Sequence, residues 1–181
     1  MGIPSVRRIR SKTLFKGRVM RLTLDDYRTS SGQQFRRETI HHPASVVILP
    51  VLPDGRVVMI RQYRPAIRQY IHEISAGTSE PGEALAACAK RELAEETGYR
   101  AKIWKRLYEF YPAPGVSTER MVLYLAGGLS KLSRPVGKDK DEIITTVPVS
   151  AAAAVKLVRQ NRVVDAKSII GILMGLKRIR W

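Results

Sequence analysis

The sequence of 181 residues predicts a mixed α/β (α+β) sandwich, in which helices cover a mixed sheet. Hydrophobic residues make up 44% of the chain, which is enough for a packed core. Strand-like segments come first, one helical segment lies near the middle, and further strands precede two helical segments. Because strands and helices do not alternate regularly, a doubly wound parallel sheet is not expected.

A β-hairpin is predicted within residues 1–43, which we expect to be separate from the main domain at 44–181. Residues 17–27 and 33–40 have strand-like composition, and a Ser-Ser-Gly turn lies between them at 30–32. A long hairpin leaves a strand edge unpaired, and a second copy of the chain can cover such an edge. We therefore expect this N-terminal extension to be a dimerisation element.

The next predicted strands form the centre of the main domain. Residues 45–52 are an apolar, β-branched run that is typical of a strand buried on both faces. An Asp-Gly turn at 54–55 returns the chain as a partner strand over 56–61. A short extended piece at 71–74 then leads to a loop at 77–82 that is rich in Gly, Ser and Pro.

A helix is predicted over residues 83–97, where Gly98 ends it. Further strands are predicted at residues 102–110, 121–126 and 143–149. Ser150 is suited to cap a helix that ends near residue 160, and Asp165 is suited to cap another that runs to the C-terminus.

The chain is strongly basic, with 32 Lys and Arg residues against 16 Asp and Glu and a formal charge of +16. This charge indicates either a solvated basic surface or attraction of a polyanion, such as a phosphorylated small molecule, a nucleic acid or an anionic membrane. No apolar run approaches the ~18 residues of a membrane helix, and no secretory signal is evident. Cys88 is the only cysteine. We expect a cytoplasmic protein with no membrane partner.

Three glutamates, Glu92, Glu95 and Glu96, fall within five positions of this otherwise basic chain. On a helix, Glu92 and Glu96 lie one above the other and Glu95 flanks them. Carboxylates this close repel one another, so the cluster is either a solvated acidic face or a site for a divalent cation. Mg²⁺ is the natural candidate because it takes oxygen ligands and keeps waters that substrate phosphates can replace.

The segment around this cluster resembles the Nudix box. That pattern has a glycine, five residues, a glutamate, seven residues and then R-E-L-x-E-E-x-G, and Gly77, Glu83 and residues 91–98 match all of it. Tyr99, in a final position that is usually aliphatic, is the one departure. The resemblance implies a Nudix-type α/β/α sandwich that uses a divalent metal to cleave a nucleoside diphosphate linked to another group.

The resemblance also implies roles for individual residues. The expected metal ligands are the carbonyl of Ala76 and the carboxylates of Glu92, Glu95 and Glu96. Mg²⁺ is the implied cofactor, and Mn²⁺ could replace it. Arg91 and Glu83 are expected to hold the loop and the helix in place, and Arg91 is counted with Glu95 in the catalytic set.

A general base is expected outside the box, because the carboxylates of the box are occupied by metal. The loop at 138–142 lies where the related enzymes carry a mobile catalytic glutamate, and Glu142 matches that position best. A plainer interpretation is a solvated loop charge beside Lys138 and Lys140. A base must reach the attacking water within about 3 Å, directly or through one further water.

The flanking residues are similar to the ADP-ribose and nucleoside-diphosphate-sugar branch of the family. That branch carries R-Q-Y-R and then E-L-P-A-G, and this chain has R-Q-Y-R at 61–64 and E-I-S-A-G at 73–77. Its characteristic proline and S-x-E pattern are matched within residues 114–119. The implied substrate-binding residues are Arg37, Arg64, Glu73, Pro114 and Glu119. For Arg64 the motif favours substrate contact over a surface charge, whereas Glu119 can equally be a surface charge and Pro114 can simply stiffen a turn.

Three functions therefore stay open. The resemblance implies a homodimeric, Mg²⁺-dependent enzyme that hydrolyses ADP-ribose or another nucleoside diphosphate sugar to a nucleoside monophosphate and a sugar phosphate. The basic charge favours instead a pyrophosphohydrolase that acts on RNA 5′ ends, although no basic run interleaved with aromatic residues suits base stacking. A catalytically inactive platform that binds nucleotides or RNA is the third, and the intact set of three glutamates argues against it.

Overall fold

The protein divides into two compact units, each described here by itself. A computed structural model describes residues 3–134, 136 and 143–179. The first unit comprises Met1–Ala44 and Tyr111–Arg120, and the second comprises Ser45–Phe110 and Met121–Trp181. None of the helices among the described residues is long and apolar enough to cross a membrane.

The first unit is a three-stranded antiparallel sheet, formed by β1 (Val6–Lys16), β2 (Arg21–Thr29) and β3 (Gln34–His41) in that order. The hairpin of β2 and β3 confirms the predicted strands, whereas β1 was not predicted. Every residue of β1 is exposed, and its apolar and polar residues do not alternate. No sequence pattern therefore reveals this strand. The segment 111–120 joins β3 through hydrogen bonds at Ile40.

The centre of this small sheet is polar. Thr23 and Asp25 are both fully buried, and the carboxylate of Asp25 accepts hydrogen bonds from Ser11 at 2.5 Å and from Thr23 at 3.1 Å. Burial acts to raise the pKa of Asp25, but these hydrogen bonds and the charge of Arg8 outweigh it, so the pKa is lowered. A charged carboxylate therefore ties β1 to β2.

The described part of the second unit contains seven strands and three helices. In chain order they are β4 (Ser45–Pro50), β5 (Arg56–Arg64), β6 (Gln69–Ile74), β7 (Ala76–Thr78), α1 (Leu85–Thr97), β8 (Tyr99–Phe110), β9 (Met121–Lys131), β10 (Ile144–Ser150), α2 (Ala151–Arg159) and α3 (Ala166–Leu176). One sheet has the order β7-β4-β9-β8 and the other β10-β5-β6. Among the strand pairs described in this unit, β4–β9 is parallel and the others are antiparallel, so the predicted mixed sheet is confirmed.

Strand β4 separates two apolar cores. Val46 and Ile48 pack with Leu93 of α1 on one face, whereas Val47 and Leu49 belong to the core on the α3 side. All four β4 residues are completely buried, as expected for a strand covered on both faces. Helices therefore lie on both sides of the sheet, which confirms the α/β/α sandwich.

Several boundaries differ from those predicted. Gly77 and Thr78, expected to begin a loop, belong to β7 because the backbone of this segment pairs with β4, although its small side chains carry no strand pattern. The central helix begins at Leu85 rather than residue 83, and its N-cap Ala84 has no capping side chain. Helix α3 ends at Leu176, short of the C-terminus.

Helix α3 approaches the sheet closely through two glycines. A Cβ atom on Gly171 would lie under 3.0 Å from Ile74, and one on Gly175 would lie equally close to Leu49. Ile74 and Leu49 are completely buried and have little room to move. The absence of side chains at these two positions therefore allows the helix to seat against the strands.

Gly171→Val is expected to destabilise the protein by about 1–3 kcal/mol, because the new side chain overpacks the core against Ile74. Urea unfolding followed by circular dichroism measures this change. Ala166→Val adds a similar group at an exposed position of the same helix and is expected to change stability by less than about 0.5 kcal/mol. A Gly171→Val protein with the wild-type urea midpoint would contradict this account of the packing.

Candidate active site

Helix α1 holds the three clustered glutamates at its C-terminal end. Its apolar face, which includes the buried Leu93, sets the rotation of the helix. Gly98 ends it in the left-handed conformation at φ 71°, where its N–H binds the carbonyl of Ala94. The three glutamates differ in exposure. The side chain of Glu95 is 26% exposed and that of Glu92 12%, and Glu96 is the most buried at 2%.

Arg91 binds three carboxylates at once. Its guanidinium group reaches Glu83 at 2.9 Å, Glu92 at 2.7 Å and Glu95 at 3.0 Å, and it also donates to the carbonyl of Thr78 at 3.3 Å. The hydrogen bonds to Glu83 are the largest cause of a raised Arg91 pKa. The predicted role of Arg91, to hold loop and helix together, agrees with these contacts.

The pairing with Arg91 makes the contribution of Glu83 to stability dependent on pH. Hydrogen bonds from Arg91 lower the pKa of Glu83 from its ordinary 4.5 to about 2, although burial acts in the opposite direction. The folded protein therefore binds a proton at Glu83 less readily than the unfolded chain does. The stabilisation is complete above about pH 4.5 and is lost as the pH falls towards 2.

Glu83→Gln is expected to lower the melting temperature at neutral pH. This gap in melting temperature between wild type and variant is expected to shrink below about pH 4.5, where glutamate in the unfolded chain is protonated. Thermal unfolding at a series of pH values measures this gap. Glu80→Gln, at an exposed position in the same turn, is the matched control and should show no such gap. A gap for Glu83→Gln that is equal at pH 7 and pH 3 would refute the assignment.

The backbone of β7 lies directly against the glutamates. Glu96 accepts a hydrogen bond from the N–H of Ala76 at 3.1 Å. Gly77 leaves space for the carboxylate of Glu92, because a Cβ atom there would fall well under 3.0 Å from the Glu92 Cδ. Ala76 and Gly77 thus form the wall of the site opposite α1.

This donor set suits a hard divalent cation. Carboxylates and a backbone carbonyl are the oxygen ligands that Mg²⁺ prefers. Among the described residues, no three acidic, histidine or cysteine side chains are already grouped to hold a metal ion, and Arg91 binds two of the carboxylates concerned. Glu92, Glu95, Glu96 and Ala76 therefore remain predicted ligands, and their chemistry fits the ion.

Arg64 and Glu73, which were predicted to contact substrate, bind each other. Arg64 donates to both carboxylate oxygens of Glu73, at 2.6 and 2.7 Å. Glu73 is fully buried, whereas the Arg64 side chain is 36% exposed and can also contact a ligand. The pKa of Arg64 is raised, first by its hydrogen bonds to Glu73 and further by the negative charge of Glu96, so Arg64 lies within electrostatic reach of the glutamate cluster.

Sequence reasoning missed Lys167, which also binds Glu73. Lysine is normally a surface residue, and nothing in its type suggests burial. One signal was available: Lys167 and Gly171 lie four positions apart in the predicted helix, so the lysine shares a helix face with a residue that is buried in the structure.

The remaining predicted substrate residues lie in the first unit. Arg37 places its guanidinium 5.1 Å from the ring centroid of Phe35, which stacks on Tyr27 at 5.3 Å. Glu119 lies 3.6 Å from Nδ1 of His42, and Pro114 is exposed in a turn. Sequence reasoning did not identify Tyr27 and Phe35 as a stacked pair, although they are directly opposed in the predicted hairpin. Glu142, the predicted general base, lies outside the described residues.

The family model described as the NUDIX domain matches residues 41–167. The chain therefore belongs to the Nudix family, as its α/β/α sandwich and its glutamate-bearing helix indicate. It is 37% identical to the ADP-ribose pyrophosphatase of Bacillus subtilis (strain 168), across 91% of this chain and 89% of that protein. It is 35% identical, with the same coverage, to a protein of Bacillus methanolicus named methanol dehydrogenase activator.

A solved structure described as an ADP compounds hydrolase has the same fold. It superimposes with a TM-score of 0.83, covering 98% of this chain and 94% of that chain at 23% sequence identity. At that identity the match supports the fold alone. The sequence relatives named ADP-ribose pyrophosphatase confirm the predicted resemblance to the ADP-ribose branch.

Proposed function

We propose that the protein is a Mg²⁺-dependent pyrophosphatase that hydrolyses ADP-ribose or a related nucleoside diphosphate sugar. The products are a nucleoside monophosphate and a sugar phosphate. The observation that carries this proposal is the close approach of Glu96 to Ala76 and of Glu92 to Gly77, since it brings hard oxygen donors of α1 and β7 together. Relatives named ADP-ribose pyrophosphatase support the same substrate class.

The chain supplies both charge neutralisation and orientation for this reaction. Glu92, Glu95 and Glu96 would hold the divalent cation, which activates water and stabilises the leaving oxygen when it is bound. Mg²⁺ is the usual ion of Nudix hydrolases, and Mn²⁺ would be a substitute. The exposed part of Arg64 suits the diphosphate, because a planar guanidinium binds two phosphate oxygens in a fixed geometry.

The chemical step is a displacement at one phosphorus. A water oxygen bonds to that phosphorus, the bridging P–O bond breaks, and the leaving phosphate keeps the bridging oxygen. The proton lost by the water passes to a base, for which we propose Glu142. Arg37 is proposed to contact the nucleotide, with the stacked ring of Phe35 beneath it.

The protein is further proposed to act as a homodimer through its first unit. Strand β1 is an exposed edge and carries apolar side chains on it, at Val6, Ile9, Leu14 and Phe15. An unpaired edge of this kind can pair with a strand of another chain. We expect sedimentation equilibrium to give twice the monomer mass of 20.4 kDa, and a monomer at micromolar concentration would exclude this arrangement.

A panel of substrates tests the proposed activity. The protein is incubated with Mg²⁺ and ADP-ribose, UDP-, GDP- and ADP-sugars, dinucleotides, nucleoside triphosphates or triphosphorylated RNA, and the products are identified. Release of nucleoside monophosphate from the sugar nucleotides, abolished by a chelator and restored by added Mg²⁺, is the expected result. No cleavage of any sugar nucleotide would reject the proposal.

Action on RNA ends is the second candidate, since β1 presents five exposed cations. These are Arg7, Arg8, Arg10, Lys12 and Lys16. Cleavage of triphosphorylated RNA alone in the panel would favour it, with activity that falls steeply as salt is raised. Binding of nucleotides without any cleavage would indicate an inactive platform.

A further inference from the structure

Four charged side chains form a cluster where the N-terminus of α3 meets β5 and β6. Arg64 and Glu73 come from the strands, and Asp165 and Lys167 come from the start of the helix. Glu73 is fully buried and the side chain of Lys167 is only 9% exposed. A lysine at this depth requires paired charge, because an isolated buried ammonium group loses its hydration without compensation.

Glu73 is the centre of this cluster because it binds two cations. Arg64 donates hydrogen bonds to both carboxylate oxygens of Glu73, and the ammonium group of Lys167 also donates to Oε2. Lys167 in turn binds Asp165 at 2.9 Å. Burial acts to raise the pKa of Glu73, but Arg64 and Lys167 together outweigh it, so the pKa is lowered and the carboxylate stays charged.

The same end of α3 also holds the backbone beside Glu73. Asp165 caps the helix by accepting the N–H of Ser168 at 3.0 Å. The hydroxyl oxygen of Ser168 accepts the N–H of Ile74 at 2.9 Å. Ile74 is next to Glu73 and two residues before Ala76, so the helix fixes the strand segment that enters the glutamate site.

The carboxylate of Glu73 sets the orientation of Arg64 from one side. A guanidinium bound through Nε and Nη2 to one carboxylate has a fixed plane, and its remaining nitrogen is directed away from that carboxylate. Loss of Lys167 would leave Oε2 of the buried Glu73 with Arg64 as its only cation among the contacts described here. The carboxylate of Glu73 would then no longer be held from the helix side, so Glu73 and the guanidinium bound to it could turn together.

We propose that Lys167 is a positioning residue, which acts through Glu73 to orient Arg64 towards the diphosphate of the substrate. The inference rests on the proposed function, because it assigns Arg64 to that diphosphate. It also gives α3 a part in the active site, although the family model ends at residue 167 and most of the helix lies beyond it.

Kinetics with ADP-ribose test the proposal. Lys167→Met keeps the length of the buried side chain and removes its charge. We expect KM to rise about tenfold while kcat falls less than about threefold, which is the pattern of lost substrate binding. Lys167→Arg keeps the charge and is expected to retain a KM within about twofold of wild type. Lys177→Met, at the exposed end of the same helix, is the matched control and should match wild type.

A double-mutant cycle separates positioning from a general loss of structure. In an Arg64→Ala background, Lys167→Met is expected to raise KM by less than about twofold, because the group on which it acts is gone. An equal, multiplicative effect in both backgrounds would overturn the proposal. If Lys167→Met does not fold, Lys167→Gln replaces it in each measurement, since it keeps a hydrogen-bond donor without the charge.

A spectroscopic readout keeps this inference distinct from the proposed function. The Nε–H signal of Arg64 is identified in a ¹H–¹⁵N spectrum by its absence from the Arg64→Ala protein. We expect Lys167→Met to shift or broaden that signal and Lys177→Met to leave it in place. If the wild type cleaves no sugar nucleotide, the proposed function fails and this spectrum decides the positioning role; an unchanged Arg64 signal in Lys167→Met would refute it.

Discussion

Glu96→Gln and Glu92→Gln are each expected to lower kcat at least about 100-fold, a loss of about 2.7 kcal/mol of transition-state stabilisation. Glutamine has the same shape as glutamate but lacks the charge that a divalent cation needs from its ligands. The fold should persist, because a glutamine oxygen at position 96 can still accept the N–H of Ala76. The effect should therefore fall on the reaction and leave stability nearly unchanged.

Steady-state rates at saturating ADP-ribose, measured over a range of Mg²⁺ concentrations, check this expectation. Glu80→Gln is the control, since it removes an exposed carboxylate close to the same helix. Its rate should match that of wild type. Turnover within a few-fold of wild type for both Glu92→Gln and Glu96→Gln would remove these residues from the metal-binding set.

Gly77→Ala is expected to reduce kcat/KM by at least about 100-fold, because it displaces Glu92, a proposed metal ligand. The added Cβ would fall on the carboxylate carbon of Glu92 and close to both of its oxygens. That carboxylate is the far end of a flexible side chain, so it can move while the backbone stays in place. We therefore expect a change in stability of less than about 1 kcal/mol.

Gly127→Ala is the matched control for this variant. It adds the same atom in β9, where the nearest contact would be an ordinary 3.6 Å from Ile103, and it should leave kcat/KM at the wild-type value. Binding of Mn²⁺, followed by the electron paramagnetic resonance signal of the free ion, measures metal affinity directly. Gly77→Ala should bind Mn²⁺ more weakly than either wild type or the control. Wild-type activity in Gly77→Ala would show that Glu92 does not need this space.

The sequence predicted the helix that carries the three glutamates better than it predicted the edges of the fold. The spacing from Gly77 to Glu96 indicated a loop, a helix and three converging carboxylates, because helical geometry alone places Glu92 and Glu96 on one face. It also predicted the strand at 45–52, whose apolar character follows from burial on both faces. These features depend on local pattern, which a single sequence contains.

The missed features depend on contacts between distant residues. The apolar and polar residues of β1 do not alternate, so only its backbone pairing with β2 reveals the strand. The burial of Lys167 depends on Glu73, which lies 94 positions earlier in the chain. Likewise, the sequence placed Arg91 beside acidic residues but could not show that it bridges Glu83, Glu92 and Glu95 together.

The bridging position of Arg91 makes it an internal counter-ion for the acidic pocket. Because its positive charge offsets part of the repulsion among these carboxylates, we expect the chain to fold before it binds any divalent cation. On the proposed function, metal binding is then a late, reversible step in which a cation replaces Arg91 as the partner of Glu92 and Glu95. Removal of Mg²⁺ is accordingly expected to stop the proposed activity without unfolding the protein, and activity should return when the ion is added back.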